Sequence, residues 1–77
     1  MKIRVHLFAY LAKYAPEGVK DFTIELKPGA SVEDIIKYLG IPPTEGKIII
    51  VNGRHSGEDT PLNENDEVVF MTPVEGG

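Results

Sequence analysis

Ser31-Val32-Glu33-Asp34-Ile35-Ile36-Lys37-Tyr38-Leu39-Gly40 is the one strongly helical passage in this 77-residue chain. Val32, Ile35, Ile36 and Leu39 recur at i, i+3, i+4 and i+7, which makes an apolar stripe suited to lie on a sheet. Ser31 stands where an N-cap belongs. Ser31-x-x-Asp34 resembles a capping box, with Asp as a shorter stand-in for the usual Glu. Gly40 suits the position just past the last turn, and Pro42-Pro43 forbids continuation. The spacing predicts a helix over residues 32–39.

Working outward, Pro28-Gly29 breaks the chain ahead of this helix. In residues 19–26, Phe22, Ile24 and Leu26 alternate with Asp21, Thr23 and Glu25, the period of two that marks a half-buried strand. Residues 2–8 repeat the pattern, with Ile3, Val5 and Leu7 on one face and Lys2, Arg4, His6 and Phe8 on the other. Between them, residues 9–15 hold good helix formers and predict a short helix stopped near Pro16 and Gly18. Beyond the main helix, Ile48-Ile49-Ile50-Val51 is an unbroken β-branched run, suited to a strand with little water on either face. Asn52-Gly53 marks a tight turn into a short edge strand over residues 54–56. Residues 57–66 are polar and turn-rich, residues 68–71 form the last strand, and residues 73–77 are an extended tail.

The order strand, short helix, strand, helix, strand, short strand, strand predicts an α+β fold. A mixed sheet should carry one main helix across one face. That is the ββαββ order of the β-grasp, or ubiquitin-like, fold: a domain over residues 1–72 and a tail over residues 73–77. The expected core is Ile3, Val5, Leu7, Phe22, Ile24, Leu26, Val32, Ile35, Ile36, Leu39, Ile49, Val51, Val68 and Phe70. A chain this short buries only about 60% of its unfolded surface, so that one core must be well filled.

Composition removes several functional classes. There is no cysteine, hence no disulfide framework, thiolate zinc site or thiol nucleophile, which fits a reducing cytoplasm. The net charge is −4 and the basic residues are scattered singly, so nucleic-acid binding is not expected. No apolar run approaches the roughly 20 residues of a membrane span, and the N-terminus lacks a signal-peptide pattern. The chain reads as soluble and cytoplasmic.

Residues able to do chemistry are few. His6 and His55 are the two imidazoles, and neither belongs to a cluster with metal-ligand spacing. His6 reads as a polar-face strand residue. His55 and Ser56 are neighbours on a strand and point to opposite faces, which argues against a dyad. Glu58, Asp59, Glu64, Asp66 and Glu67 read as a solvated acidic stretch. The glycines form no phosphate-binding fingerprint. No catalytic set and no metal site is expected, so the chain looks like something acted upon.

What remains is the C-terminal Gly76-Gly77. A terminal carboxylate can attack the α-phosphate of ATP, and a sulfur donor can open the resulting acyl-adenylate to a thiocarboxylate. The carboxylate must reach into another enzyme's site through a narrow channel, and two residues without Cβ allow close approach of the backbone. Glycine is also tolerated at any loose chain end. Placed directly after the final strand of a β-grasp, the pair gains weight as a chemical feature.

Nearly the whole chain resembles the MoaD/ThiS family of sulfur carriers. The most specific part is Pro61-Leu62-Asn63-Glu64-Asn65-Asp66-Glu67-Val68, then Phe70, then Pro73-Val74-Glu75-Gly76-Gly77. It is similar to the PL-x-x-GDEV strand and PPV-x-GG end of the molybdopterin synthase small subunit. Leu7-Phe8-Ala9 before a helix is also more like that subunit than the thiamine carrier, whereas Val51-Asn52-Gly53 is common to both. Two positions depart. Asn65 stands where the family often has Gly, and Asn tolerates the left-handed conformation such a turn requires. Thr72 replaces the first proline before the tail, which leaves the tail's stiffness open.

The resemblance implies that Gly77 is adenylated and thiocarboxylated, with Gly76, Glu75, Val74 and Pro73 as the tail that presents it. It implies no cofactor bound to this chain; ATP is used by an activating enzyme, and a catalytic subunit or other acceptor enzyme consumes the sulfur. The carrier itself would be non-catalytic and monomeric when free. Phe8 and Met71, with His55 near the edge, are the implied partner interface. Strand parity agrees independently, since Phe8 faces away from Leu7 and Met71 away from Phe70. Molybdenum or tungsten cofactor biosynthesis is the first reading. Carriers for thiamine or other thiolation, and a protein modifier conjugated to lysine through Gly77, remain alternatives.

Overall fold

The computed structural model describes residues 1–73, and the expected helix is its central feature. Helix α1 spans Val32–Leu39. The Asp34 carboxylate accepts the Ser31 backbone N–H at 2.8 Å, so the shorter acid does reach back to the cap. At the other end Gly40 adopts φ 74°, its N–H bonds the Lys37 carbonyl, and the Ile41 N–H bonds the Ile36 carbonyl. That is a Schellman ending, and it delivers Ile41 into the core.

The strands are β1 (Lys2–Leu7), β2 (Asp21–Glu25), β3 (Ile48–Val51), β4 (Arg54–His55) and β5 (Glu67–Met71). They form one five-stranded sheet in the order β2-β1-β5-β3-β4. β1 pairs with β2 antiparallel and with β5 parallel, and β3 pairs antiparallel with both β5 and β4. The sheet is mixed, with the first and last long strands side by side at its centre. Asn52 (φ 51°) and Gly53 (φ 83°) both take positive φ in the β3–β4 turn, as the Asn-Gly pair predicts.

The segment expected as a short helix is a 3-10 helix over Ala9–Tyr14, followed by a second 3-10 turn at Pro16–Gly18. Its limit has a local cause. Ala15 precedes Pro16 and is held extended at ψ 133°, which ends the helix before an α-helical ladder develops. β2 is shorter at both ends than the expected residues 19–26.

Val32, Ile35 and Ile36 of α1 pack in one cluster with Ile3, Val5, Leu7, Ile49, Val68 and Phe70 of the sheet. Phe22, Leu26 and Leu39, expected in the core, are only partly buried against it. Phe22 lies on edge strand β2, Leu26 just past that strand's end, and Leu39 on the last turn of α1. Leu11, Ala30, Ile41 and Leu62, none of them expected, are buried instead. Loop backbone bonds seat two of them, since the Leu62 N–H donates to the Ala30 carbonyl at 3.0 Å.

Candidate functional site

Opposite α1 the sheet has an open face, and the strand registers set its rows. Ile48 of β3 lies opposite Met71 of β5. On the other side of β5, Leu7 is paired with Phe70 and the Phe8 N–H donates to the Phe70 carbonyl at 2.9 Å. Phe8 is therefore carried alongside Met71. The next row runs Asp21, His6, Val69, Ile50 and His55 across all five strands. A third brings Thr23, Arg4 and Glu67 together.

The face is graded as a result. Phe8, Met71, Ile48, Val69 and Ile50 make an apolar region at the end where the chain leaves β5. Charged side chains occupy the opposite corner. Phe8 is 49% exposed, Met71 is partly exposed and His55 is exposed at the far edge. The three residues expected at an interface thus share one face, with His55 separated from Met71 by β3.

His6 is more than a lone polar-face residue. Its Nδ1 is in hydrogen-bond contact with Asp21 Oδ1, and its Nε2 lies 3.0 Å from Glu67 Oε2. Both ring nitrogens can donate together only in the imidazolium form. Its pKa is raised, first by the Asp21 hydrogen bond; burial opposes this and Glu67 adds to it. Arg4 stands 3.8 Å from the same Glu67 carboxylate. These partners lie 15 and 61 residues away in the chain, so no local pattern could disclose the bridge.

A second polar group sits near the base of the tail. Tyr14 donates its hydroxyl to Glu45 Oε2 at 2.8 Å, and Lys13 Nζ lies 3.3 Å from the same oxygen. The Tyr14 hydrogen bond, then Lys13, pull the Glu45 pKa down; the same hydrogen bond raises that of Tyr14. Among the described residues no group of three or more His, Cys, Asp or Glu side chains is placed to hold a metal ion. No helix among them is long and apolar enough to cross a membrane. Of the expected tail, Pro73 is described, whereas Val74, Glu75, Gly76 and Gly77 lie outside the described residues.

The helix-backed mixed sheet, its central parallel pair and the C-terminal exit beside an open face define a ubiquitin-like β-grasp protein. Solved structures agree. SAMP1 from Haloferax volcanii superposes with a TM-score of 0.79 at 23% identity, covering 100% of both chains. A putative molybdopterin converting factor subunit 1 from Pyrococcus furiosus matches with a TM-score of 0.78 at 30% identity, over 95% of this chain and 98% of that one. Subunit 1 in the complex of subunits 1 and 2 of the molybdopterin-converting factor from Helicobacter pylori matches with a TM-score of 0.67 at 20% identity, covering 100% of each chain. Among curated proteins none matches. The ThiS family profile matches residues 5–77, and the chain belongs to that family of ubiquitin-like sulfur carriers and modifiers. Small proteins of this type are generally non-catalytic.

Proposed function

We propose that this protein is a sulfur carrier whose Gly77 carboxyl is activated and thiolated by partner enzymes, with sulfur delivered to molybdenum or tungsten cofactor biosynthesis. The observation that carries the reading is the family match, which runs through the terminal Gly76-Gly77. The similarity to the Pyrococcus furiosus subunit favours the molybdopterin branch. In this reading the Gly77 carboxylate attacks the α-phosphorus of ATP and pyrophosphate leaves. Sulfide then displaces AMP, giving the thiocarboxylate. ATP and the catalytic groups belong to the activating enzyme, and the cytoplasm is the compartment that supplies them.

The apolar region around Phe8 and Met71, with His55 at its edge, docks those partners, and residues 73–77 enter their active sites. The free protein is a monomer with a folded domain over residues 1–72. A protein modifier would use the same adenylate but end as an isopeptide on a lysine, and a structure described as small archaeal modifier protein 1 from Haloferax volcanii shares the fold. The test is intact mass after incubation with an activating enzyme, ATP and sulfide. A carrier exchanges one C-terminal oxygen for sulfur. Conjugates on lysines without a free thiocarboxylate would establish the modifier instead.

A further inference from the structure

Thr72 is the residue that departs from the family's proline just before the tail, and the fold gives it a specific contact. Its Oγ1 accepts the backbone N–H of Tyr10 at 3.0 Å. Tyr10 lies in the first turn of the 3-10 helix Ala9–Tyr14, where a backbone N–H has no partner within its own helix. Proline at this position would stiffen the chain through its ring but carries no side-chain acceptor. Threonine, whose β-branch already restricts χ1, ties the chain to a neighbouring element instead.

The next residue is held from the other side. A Cβ built at Gly46 would lie 3.4 Å from Cγ of Pro73 and 3.6 Å from its Cδ, ordinary contact distances, so the proline ring sits directly beside Gly46. The two supports are themselves joined. Tyr14, on the same 3-10 helix as Tyr10, hydrogen-bonds Glu45, the neighbour of Gly46. Lys47 Nζ donates to the Glu45 carbonyl at 2.9 Å, fixing the loop from its far side.

We propose that the Thr72–Tyr10 bond, with Pro73 seated beside Gly46, forms a clamp that sets the direction in which the chain leaves the domain at Pro73, with Thr72 acting as a positioning residue for the Gly77 carboxyl. The clamp stands on the contacts above, whereas its use in presenting Gly77 rests on the carrier reading. A chain that leaves the domain in a set direction at Pro73 brings its end to a partner's ATP in a larger share of docked complexes. A net intramolecular hydrogen bond corresponds to roughly threefold to tenfold in an equilibrium, which sets the scale of the effect.

The experiment compares wild type with Thr72→Val and Thr72→Ser. The first readout is amide hydrogen exchange at Tyr10, measured by NMR at equal global stability. Thr72→Val should raise that rate roughly threefold to tenfold, and Thr72→Ser should restore it. The second is carrier-dependent ATP–pyrophosphate exchange by an activating enzyme already shown to accept another carrier of this family. Thr72→Val should lower kcat by a similar factor with KM unchanged, because the docking face is intact; Thr72→Ser should recover it. Wild-type exchange at Tyr10 in Thr72→Val would overturn the clamp, as would a serine variant as impaired as valine. Wild-type kcat in Thr72→Val, with Tyr10 exchange raised, would overturn the positioning role. If the unaltered protein is not adenylated at all, the carrier reading fails and Tyr10 exchange alone decides the clamp.

Discussion

Glu67 accepts a hydrogen bond from His6 Nε2 at 3.0 Å, although the strand register pairs Glu67 with Arg4. The contact is diagonal across the parallel β1–β5 pair, while Asp21 meets His6 directly across β1–β2. The His6 ring therefore ties β2, β1 and β5 together on the charged side of the open face. The raised pKa fixes the sign of its pH dependence. A folded-state value above the unfolded one contributes stability that is fully present below about pH 6.5 and lost as pH rises through the folded value. The stability gap between wild type and His6→Gln should be widest on the acid side of that window and shrink above it. Urea midpoints across the pH range check this, with an NMR titration of His6. A His6 midpoint at or below about 6.5 would dismiss the bridge.

Leu11→Ala should cost about 2–5 kcal/mol, because the side chain is 0% exposed and its removal leaves a cavity in a small core. Its neighbour Tyr10 is 74% exposed, and Tyr10→Ala should stay within about 0.5 kcal/mol, since the bond to Thr72 uses backbone. Denaturant midpoints of the two variants separate them. Equal losses would mean that the 3-10 helix turns a different side to the core.

Leu11 also marks where sequence reading stopped. The bounds of α1 and β3 follow from local patterns: a capped 3.6-residue stripe and a β-branched run. Parity alone put Phe8 and Met71 on the face opposite Leu7 and Phe70. Leu11 sits in a 3-10 helix and Ala30, Ile41 and Leu62 in irregular segments, all without periodicity, and only the closed fold points them inward. The His6 bridge and the Thr72–Tyr10 contact join residues 15 to 62 positions apart, beyond the reach of any local signal.

Asn65 takes φ 68°, the left-handed conformation expected where the family often has glycine. Its N–H is also committed, donating to the Lys2 carbonyl at 2.8 Å. Asn65→Gly should be nearly neutral, whereas Asn65→Val should cost more than about 1 kcal/mol, since a β-branched residue strongly resists positive φ. Thermal melts of the pair check this. A valine variant as stable as glycine would mean the turn has another conformation in solution.

Phe8→Asp should weaken binding to an activating enzyme or acceptor subunit while leaving the melting transition within about 0.5 kcal/mol of wild type. Phe8 sits beside Met71 on the open face and is half exposed, so the domain loses little when it is replaced. Titration calorimetry and a melt on the same sample give both quantities. Unfolding of the variant, with binding lost only in proportion, would return Phe8 to the core and remove the docking role.

Deleting Gly77, or adding one residue after it, should abolish adenylation and sulfur loading while the domain stays folded. The reason is chemical. An α-carboxyl has a reference pKa of about 3.3–3.7, so it is ionised near neutral pH and needs no local base to act as a nucleophile. The carboxylate must still lie in line with the α-phosphorus of ATP, and displacement of the reacting atom by about 1 Å can cost on the order of a hundredfold. A change of one residue moves it by about 3.5 Å. Gly76→Val should block loading too, because a branched Cβ narrows both the allowed φ and the clearance in a tight channel. Intact mass after reaction with activating enzyme, ATP and sulfide reads loading; circular dichroism reads the fold. A truncated protein that still gained sulfur would mean that another group carries it, and the terminal glycines would then be an ordinary chain end.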